Sequence, residues 1–322
     1  ALDLFKKEKG AAADDISAVI GITPTLLEEI LKISGPIFLN GEEFNAKNFT
    51  EKLEYEVEFG YVEKGLDFNN RKKALVDLTH ALLARMRGDV LKHWPQYLAL
   101  GQRMLAEKHI LAYAQPPEAQ DVLLVKNWGG IMRPTAGDYI LWADANLASL
   151  KTDKVMDREL SYYFSPTSSG KYIGVIKMKY ANRGSFTKFT TRYRTYARVF
   201  LPAGSQFISV SENLKFDQGM ENGRQWFGAF VVIEPGETKE LVWQFYLAPQ
   251  VVEQISAKGE SNPYTLLVQK QSGTIAHTLT LGLNFGKSIV SAAPGEAVAD
   301  YGNQIYSLKT DLRLDREFEV NL

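Results

Sequence analysis

Between Asp138 and Arg158 the chain gathers Asp138, Asp144, Asn146, Lys151, Asp153, Asp157 and Arg158. Carboxylates, an amide and two cations at this density could bind a ligand or an ion, form a catalytic centre, or cap the backbone of an ordered loop. Strand geometry separates the two most conspicuous acids. If Tyr139–Ala143 is extended, Asp138 and Asp144 lie at its opposite ends, roughly 20 Å apart at about 3.3 Å per residue. A glycosidase-type carboxylate pair needs about 5 to 9.5 Å. Asp144, Asn146 and Asp153 could still converge through the following loop, with Lys151 neutralising them. The candidate binding residues are therefore Asp138, Asp144, Asn146, Lys151, Asp153 and Arg158, with Arg133 and Arg71 as outlying cations. No nucleophile, base and acid arrangement is visible, so no catalytic residue is assigned.

Other chemistry-bearing residues read more plainly. His80, His93 and His109 are separated by more than ten residues and make no HExxH pattern, so no metal site is assigned. Asp14 and Asp15 read as a solvated turn. Lys179, Arg183, Lys188, Arg192, Arg194 and Arg198 interleave with aromatic residues, as a groove for a polyanion or sugar would. On a strand, however, Arg192, Arg194 and Arg198 share a parity and line one solvated face, while Tyr193 and Tyr196 fall on opposite parities.

The elements that must position these groups change character along the chain. Apolar residues make up 45% and the formal net charge is -1, a folded-globular profile that gives no electrostatic reason to expect nucleic acid. With no cysteine, disulfides, thiol catalysis and Cys-based metal sites are excluded. Ala18–Ile22 reads as a strand, Thr23-Pro24 as a cap and first helical turn, and Leu27, Ile30 and Leu31 as a buried stripe ended by Gly35-Pro36. Ile37–Leu39 then completes a strand, helix, strand unit. Helical periodicity covers Phe68–Met86 and Val90–Glu107, with a bend expected near Pro95. From Arg158 the period falls to two, and about eight strands follow, punctuated by Gly, Pro, Asn and Ser turns. The fold class read from this pattern is α+β: residues 1–150 form a helix-rich α/β domain lacking an upstream portion, and residues 151–322 form an antiparallel β-sandwich, immunoglobulin-like or similar.

Several segments carry a family resemblance. They are Ser17-Ala18-Val19-Ile20-Gly21-Ile22-Thr23-Pro24, Ser34-Gly35-Pro36-Ile37, Glu107-Lys108-His109-Ile110, Asn127-Trp128-Gly129-Gly130, and Asp138-Tyr139 through Asn146 with Lys151. Further on come Tyr180-Ala181-Asn182, Tyr193 through Ser205, and Pro235-Gly236-Glu237-Thr238. In order and spacing the chain resembles domain-of-unknown-function family 4012, bacterial proteins usually held outside the cytoplasmic membrane by an N-terminal anchor. The first domain is also distantly similar to the LytR-CpsA-Psr enzymes, which transfer glycopolymers from polyprenyl pyrophosphate carriers using acidic residues for Mg²⁺ and arginines for pyrophosphate.

The resemblance implies an extracytoplasmic cell-envelope protein, structural or binding rather than catalytic. The alternative it implies is a transferase or hydrolase acting on a polyprenyl-pyrophosphate-linked or other anionic envelope glycopolymer. No cofactor is expected, and Mg²⁺ enters only under that alternative. The partners implied are an envelope glycopolymer, a surface protein, or the chain's own missing N-terminal segment, with membrane attachment only through an upstream anchor. The last of these partners predicts an exposed apolar sheet edge near Val19-Ile20.

Overall fold

A computed structural model describes the chain apart from Ala1, Ala11, Leu66 and residues 69–72, 212–213 and 257–262. The fold is mixed α+β, with helices and several β-sheets. The chain divides into two units, Ala1–Ile131 and Met132–Leu322.

The first unit runs α1 (Leu2–Lys7), β1 (Ala18–Ile22), α2 (Pro24–Ser34), β2 (Ile37–Leu39) and β3 (Glu42–Phe44). It continues through α3 (Phe49–Tyr55), a π-helical turn, α4 (Tyr61–Glu63), α5 (Lys73–Ala106), β4 (Ile110–Ala114) and α6 (Pro117–Val125). Thr23 is the N-cap residue of α2, but its hydroxyl meets the His109 ring at 2.9 Å and caps no helical N–H. Gly35, at φ +78°, ends the helix by returning its N–H to the Leu31 carbonyl. Ile30 and Leu31 pack with Phe49, Leu78, Leu82 and Met104 in the core of this unit.

Of the two helices expected over Phe68–Met86 and Val90–Glu107, residues 69–72 lie outside the described residues, and from Lys73 the two form one element, α5, bent at His93 (φ -123°, ψ 21°). Pro95 lies two residues beyond the bend and removes an N–H from the helical ladder. The expected strand, helix, strand succession is present as β1, α2 and β2, but its two strands do not pair with each other: β1 pairs antiparallel with β4, whereas β2 pairs with β3 across the Asn40-Gly41 turn. These are two separate antiparallel pairs, unlike the parallel sheet of an α/β domain.

The second unit begins before residue 150, because Asp138–Asn146 is strand β5 inside its larger sheet. It continues with β6 (Met156–Pro166), β7 (Tyr172–Asn182), β8 (Tyr193–Pro202), β9 (Gln206–Val210), β10 (Phe216–Glu221), β11 (Arg224–Ile233) and β12 (Thr238–Tyr246). After α7 (Pro249–Ser256) come β13 (Tyr264–Gln269), β14 (Thr278–Asn284), β15 (Ser291–Ala293), β16 (Ile305–Asp311) and β17 (Arg316–Asn321). One sheet has the order β10-β11-β8-β5-β13-β17-β15 and the other β16-β14-β6-β7-β12-β9.

Alternating residues from both sheets, among them Trp142, Tyr162, Ile176, Val199, Phe227, Trp243 and Leu281, form one buried cluster. Trp243 and Phe245 face it together, as their shared parity requires. The expectation of a purely antiparallel, immunoglobulin-like sandwich is not met. β5 pairs parallel with β13, and β6 parallel with β14. Neither pair can be a hairpin, because parallel partners need a crossover connection. The entry to β5 is tight, since a Cβ on Gly137 would sit 2.5 Å from the Thr265 carbonyl oxygen.

Candidate functional site

β5 is covered on both faces. Tyr139 and Leu141 join Phe200 and Leu267 on one side, while Ile140 and Trp142 enter the large core on the other. Asp138 and Asp144 share the second parity, so both carboxylates point into the protein from opposite ends of the strand. They occupy two separate polar networks, as the strand separation requires.

At the first end, Asp138 accepts hydrogen bonds from the Tyr162 hydroxyl (2.6 Å), the Tyr264 hydroxyl (2.8 Å) and the Tyr139 N–H (2.8 Å). Burial raises its pKa above the ordinary carboxylate value, and the two tyrosines, the backbone N–H and Arg224 only partly offset that effect. Arg224 itself lies over the Tyr139 ring, 4.0 Å from its centroid, and donates to the Arg133 carbonyl.

At the other end, Arg158 on β6 donates through Nε to Asp144 (2.9 Å) and through Nη2 to Asp153 (2.7 Å) and the Tyr193 hydroxyl (2.8 Å). The second Asp144 oxygen accepts from the Tyr180 hydroxyl (2.8 Å) and the Thr195 hydroxyl (3.0 Å). Trp142 Nε1–H donates to Tyr180, and the Gln271 side chain holds both the N–H and the carbonyl of Asp144. Only 6% of the Arg158 side chain and 4% of the Asp144 side chain are exposed, against 48% for Asp153. Burial by itself lowers the Arg158 pKa, but Asp144, Tyr193 and Asp153 outweigh it, so the guanidinium stays charged. Removal from water is costly for both ions, and the surrounding donors and acceptors are what make the pair tenable.

The remaining sequence candidates separate. Asn146 belongs to the Asp144 network through Asp153 (2.6 Å) and also holds the Ser149 N–H, closing the β5–β6 loop on itself. Lys151 does not neutralise the acids. It stands in the loop with its N–H on the Phe189 carbonyl, and Arg158, at an inward position of β6 between Met156 and Leu160, takes that role. Arg133 joins Glu317 (2.5 Å) and Asp315 (3.5 Å) beside a cleft of about 320 Å³ that Thr135, Thr265 and Glu319 also line. Arg71 lies outside the described residues. Asp14 is paired to Lys6 at 3.6 Å on a turn where both Asp14 and Asp15 are exposed. Among the described residues, no three His, Asp or Glu side chains converge as a metal would require. No described helix is long and apolar enough to cross a membrane.

Sequence reasoning missed the tyrosines. Tyr162, Tyr180, Tyr193 and Tyr264 are fully buried and supply the hydroxyls that make both acids tenable inside. Their inward parity was available from the strand pattern, and a buried phenol requires a hydrogen-bond partner.

No protein-family model matches this sequence, and no curated protein matches it. Among solved structures, the chain shows a slight likeness to a proposed nutrient-binding protein from Legionella pneumophila. The TM-score is 0.31 at 6% identity, covering 56% of this chain and 71% of that one. A mutant M1 zinc metallopeptidase from Deinococcus radiodurans gives a TM-score of 0.27 at 12% identity, covering 55% of this chain and 44% of the peptidase. Neither likeness is close enough to bear on the fold or the activity of this chain.

Proposed function

We propose that the chain is a non-catalytic protein of the bacterial cell envelope, outside the cytoplasmic membrane, acting by binding or structural support. The observation that carries this reading is the saturation of Arg158 and Asp144. Each is nearly inaccessible and already holds several internal partners. A group poised for chemistry keeps a position open toward its substrate. These two instead join β5, β6, β7 and β8 into one frame. The resemblance to domain-of-unknown-function family 4012 supports the envelope placement. In this reading the second unit, two mixed sheets around one buried cluster, presents its outer surfaces to an envelope glycopolymer or a surface protein.

The transferase or hydrolase alternative is not adopted. Arg133 is engaged by Glu317 and Asp315, and Asp14 and Asp15 stand on an exposed turn. The test is to incubate the full chain with Mg²⁺ and a polyprenyl-pyrophosphate-linked oligosaccharide, following separation of the oligosaccharide from its polyprenyl phosphate or pyrophosphate carrier, and to co-sediment it with purified envelope glycopolymer. Retention without turnover is expected. Turnover that disappears in Arg133→Ala would overthrow the proposal.

A further inference from the structure

The β1–β4 pair has one finished edge and one unfinished edge. Thr23 N–H bonds to the His109 carbonyl and Gln115 N–H to the Ser17 carbonyl, which fixes the phase of the antiparallel ladder. Residues 17, 19, 21 and 23 therefore exchange bonds with β4. The N–H and C=O groups of Ala18, Ile20 and Ile22 point the other way.

On β4 the corresponding outward positions are covered. Ala112 N–H donates to the Trp128 carbonyl at 3.0 Å, and Ala114 N–H to the Gln120 side chain at 2.9 Å. Among the described residues β1 has no strand but β4. Its outer edge also lacks the devices that usually discourage pairing. Ala18–Ile22 contains no charge and no proline, and Ile20 and Ile22 are 68% and 51% exposed. On the same face of the sheet, Ala114 is buried and Ile110 packs on the core, so β4 is covered where β1 is not.

We propose that this edge accepts an extended strand of another protein, which completes the sheet by strand addition. The occupant is apolar at alternate positions, to cover Ile20 and Ile22. It carries a basic residue at the end that meets exposed Asp15, just before β1, with Asp14 beside it in an exposed pair with Lys6 at 3.6 Å. That charge complementarity favours a foreign strand over a second copy. Antiparallel self-pairing centred on Ile20 would set Asp14 and Asp15 opposite Leu26 and Thr25, which carry no positive charge. The interface is separate from the polar junction of β5 and does not depend on the envelope reading.

The test uses the full chain and two synthetic probes, Thr-Val-Thr-Val-Thr-Lys-Arg and its reversed-order counterpart Lys-Arg-Thr-Val-Thr-Val-Thr. Binding is read by fluorescence anisotropy, and amide exchange is read at Ile20 and Ile22. Rapid exchange of both amides in the unbound chain is expected, with one probe binding and slowing them. Ile20→Pro removes an outward N–H without touching the bonds to β4 and should weaken binding at least tenfold. Alternate N-methylation of the probe should do the same with the protein unaltered. Failure of both probes to bind would overturn the proposal, as would equal binding by the N-methylated probe. Protection already present without probe would also overturn it, whether constant with protein concentration (an edge filled by its own chain) or rising with it (a second copy).

Discussion

Arg158→Met tests whether the polar junction is architecture. The substitution keeps a long apolar stem but deletes the donors to Asp144, Asp153 and Tyr193. Asp153 is half exposed, so solvent screens its loss and it contributes little. Asp144 dominates, because its carboxylate stays buried with only the Tyr180 and Thr195 hydroxyls against its charge. Removing one partner of a buried pair costs about 3–5 kcal/mol. With roughly 190 residues in the second unit and about 2 cal/mol/K of unfolding entropy per residue, the midpoint should fall by about 8–13 °C. The assay is near-ultraviolet circular dichroism on heating, with urea titrations followed by fluorescence of buried Trp142 and Trp243. Adding Asp144→Asn removes the stranded charge, so the double variant should recover at least about 1 kcal/mol relative to additivity. A loss below about 1 kcal/mol in Arg158→Met, with no coupling to Asp144, would refute the reasoning: the pair would then be solvated and open.

Two further outcomes follow from the same core. His277 is buried against Trp142, and its Nε2 has no hydrogen-bond partner among the described residues. Burial first, then Arg158 and Lys270, pushes its pKa from 6.5 down to about 3. Between those values the unfolded chain binds a proton that the folded chain refuses. Stability from this group is therefore complete above about pH 6.5 and lost as pH falls toward 3, by up to about 5 kcal/mol over the window. Urea midpoints between pH 7 and pH 4 should fall more steeply for the native chain than for His277→Phe, and equal slopes would refute the assignment. Gly137→Ala should destabilise the second unit by about 1–3 kcal/mol, because the new methyl meets the Thr265 hydroxyl and, even when that side chain turns away, the Thr265 carbonyl oxygen at 2.5 Å. An unchanged urea midpoint would show that β5 and β13 can separate there at little cost.

Much of the second unit was legible because strand alternation is a local property. Trp243 with Phe245, and Arg194 with Arg198, fall on the faces their parity assigns. The distance argument also placed Asp138 and Asp144 in separate surroundings. What parity could not supply was pairing between strands distant in sequence. β5 read as part of a junction because its neighbours, β8 and β13, lie far along the chain, and the parallel β5–β13 and β6–β14 pairings leave no local mark. For the same reason Lys151 looked like the neutralising cation: it is near Asp144 in sequence, while Arg158 reaches it across two sheets. In the first unit, β1 and β2 appeared to belong together because one helix joins them. The true partner of β1 is β4, more than eighty residues on, and Ile110–Ala114 carries too short an apolar pattern to announce a strand.

A structural junction keeps Arg158 closed to outside anions, and the Arg158 Nε–H resonance reports that directly. The measurement is a titration of the full chain with inorganic pyrophosphate and Mg²⁺, following the arginine Nε–H signals by nuclear magnetic resonance. A structural junction predicts slow solvent exchange at Arg158 and no change in its resonance through millimolar pyrophosphate. A saturable shift of that resonance, abolished in Asp144→Asn, would contradict the account and make the junction a binding site.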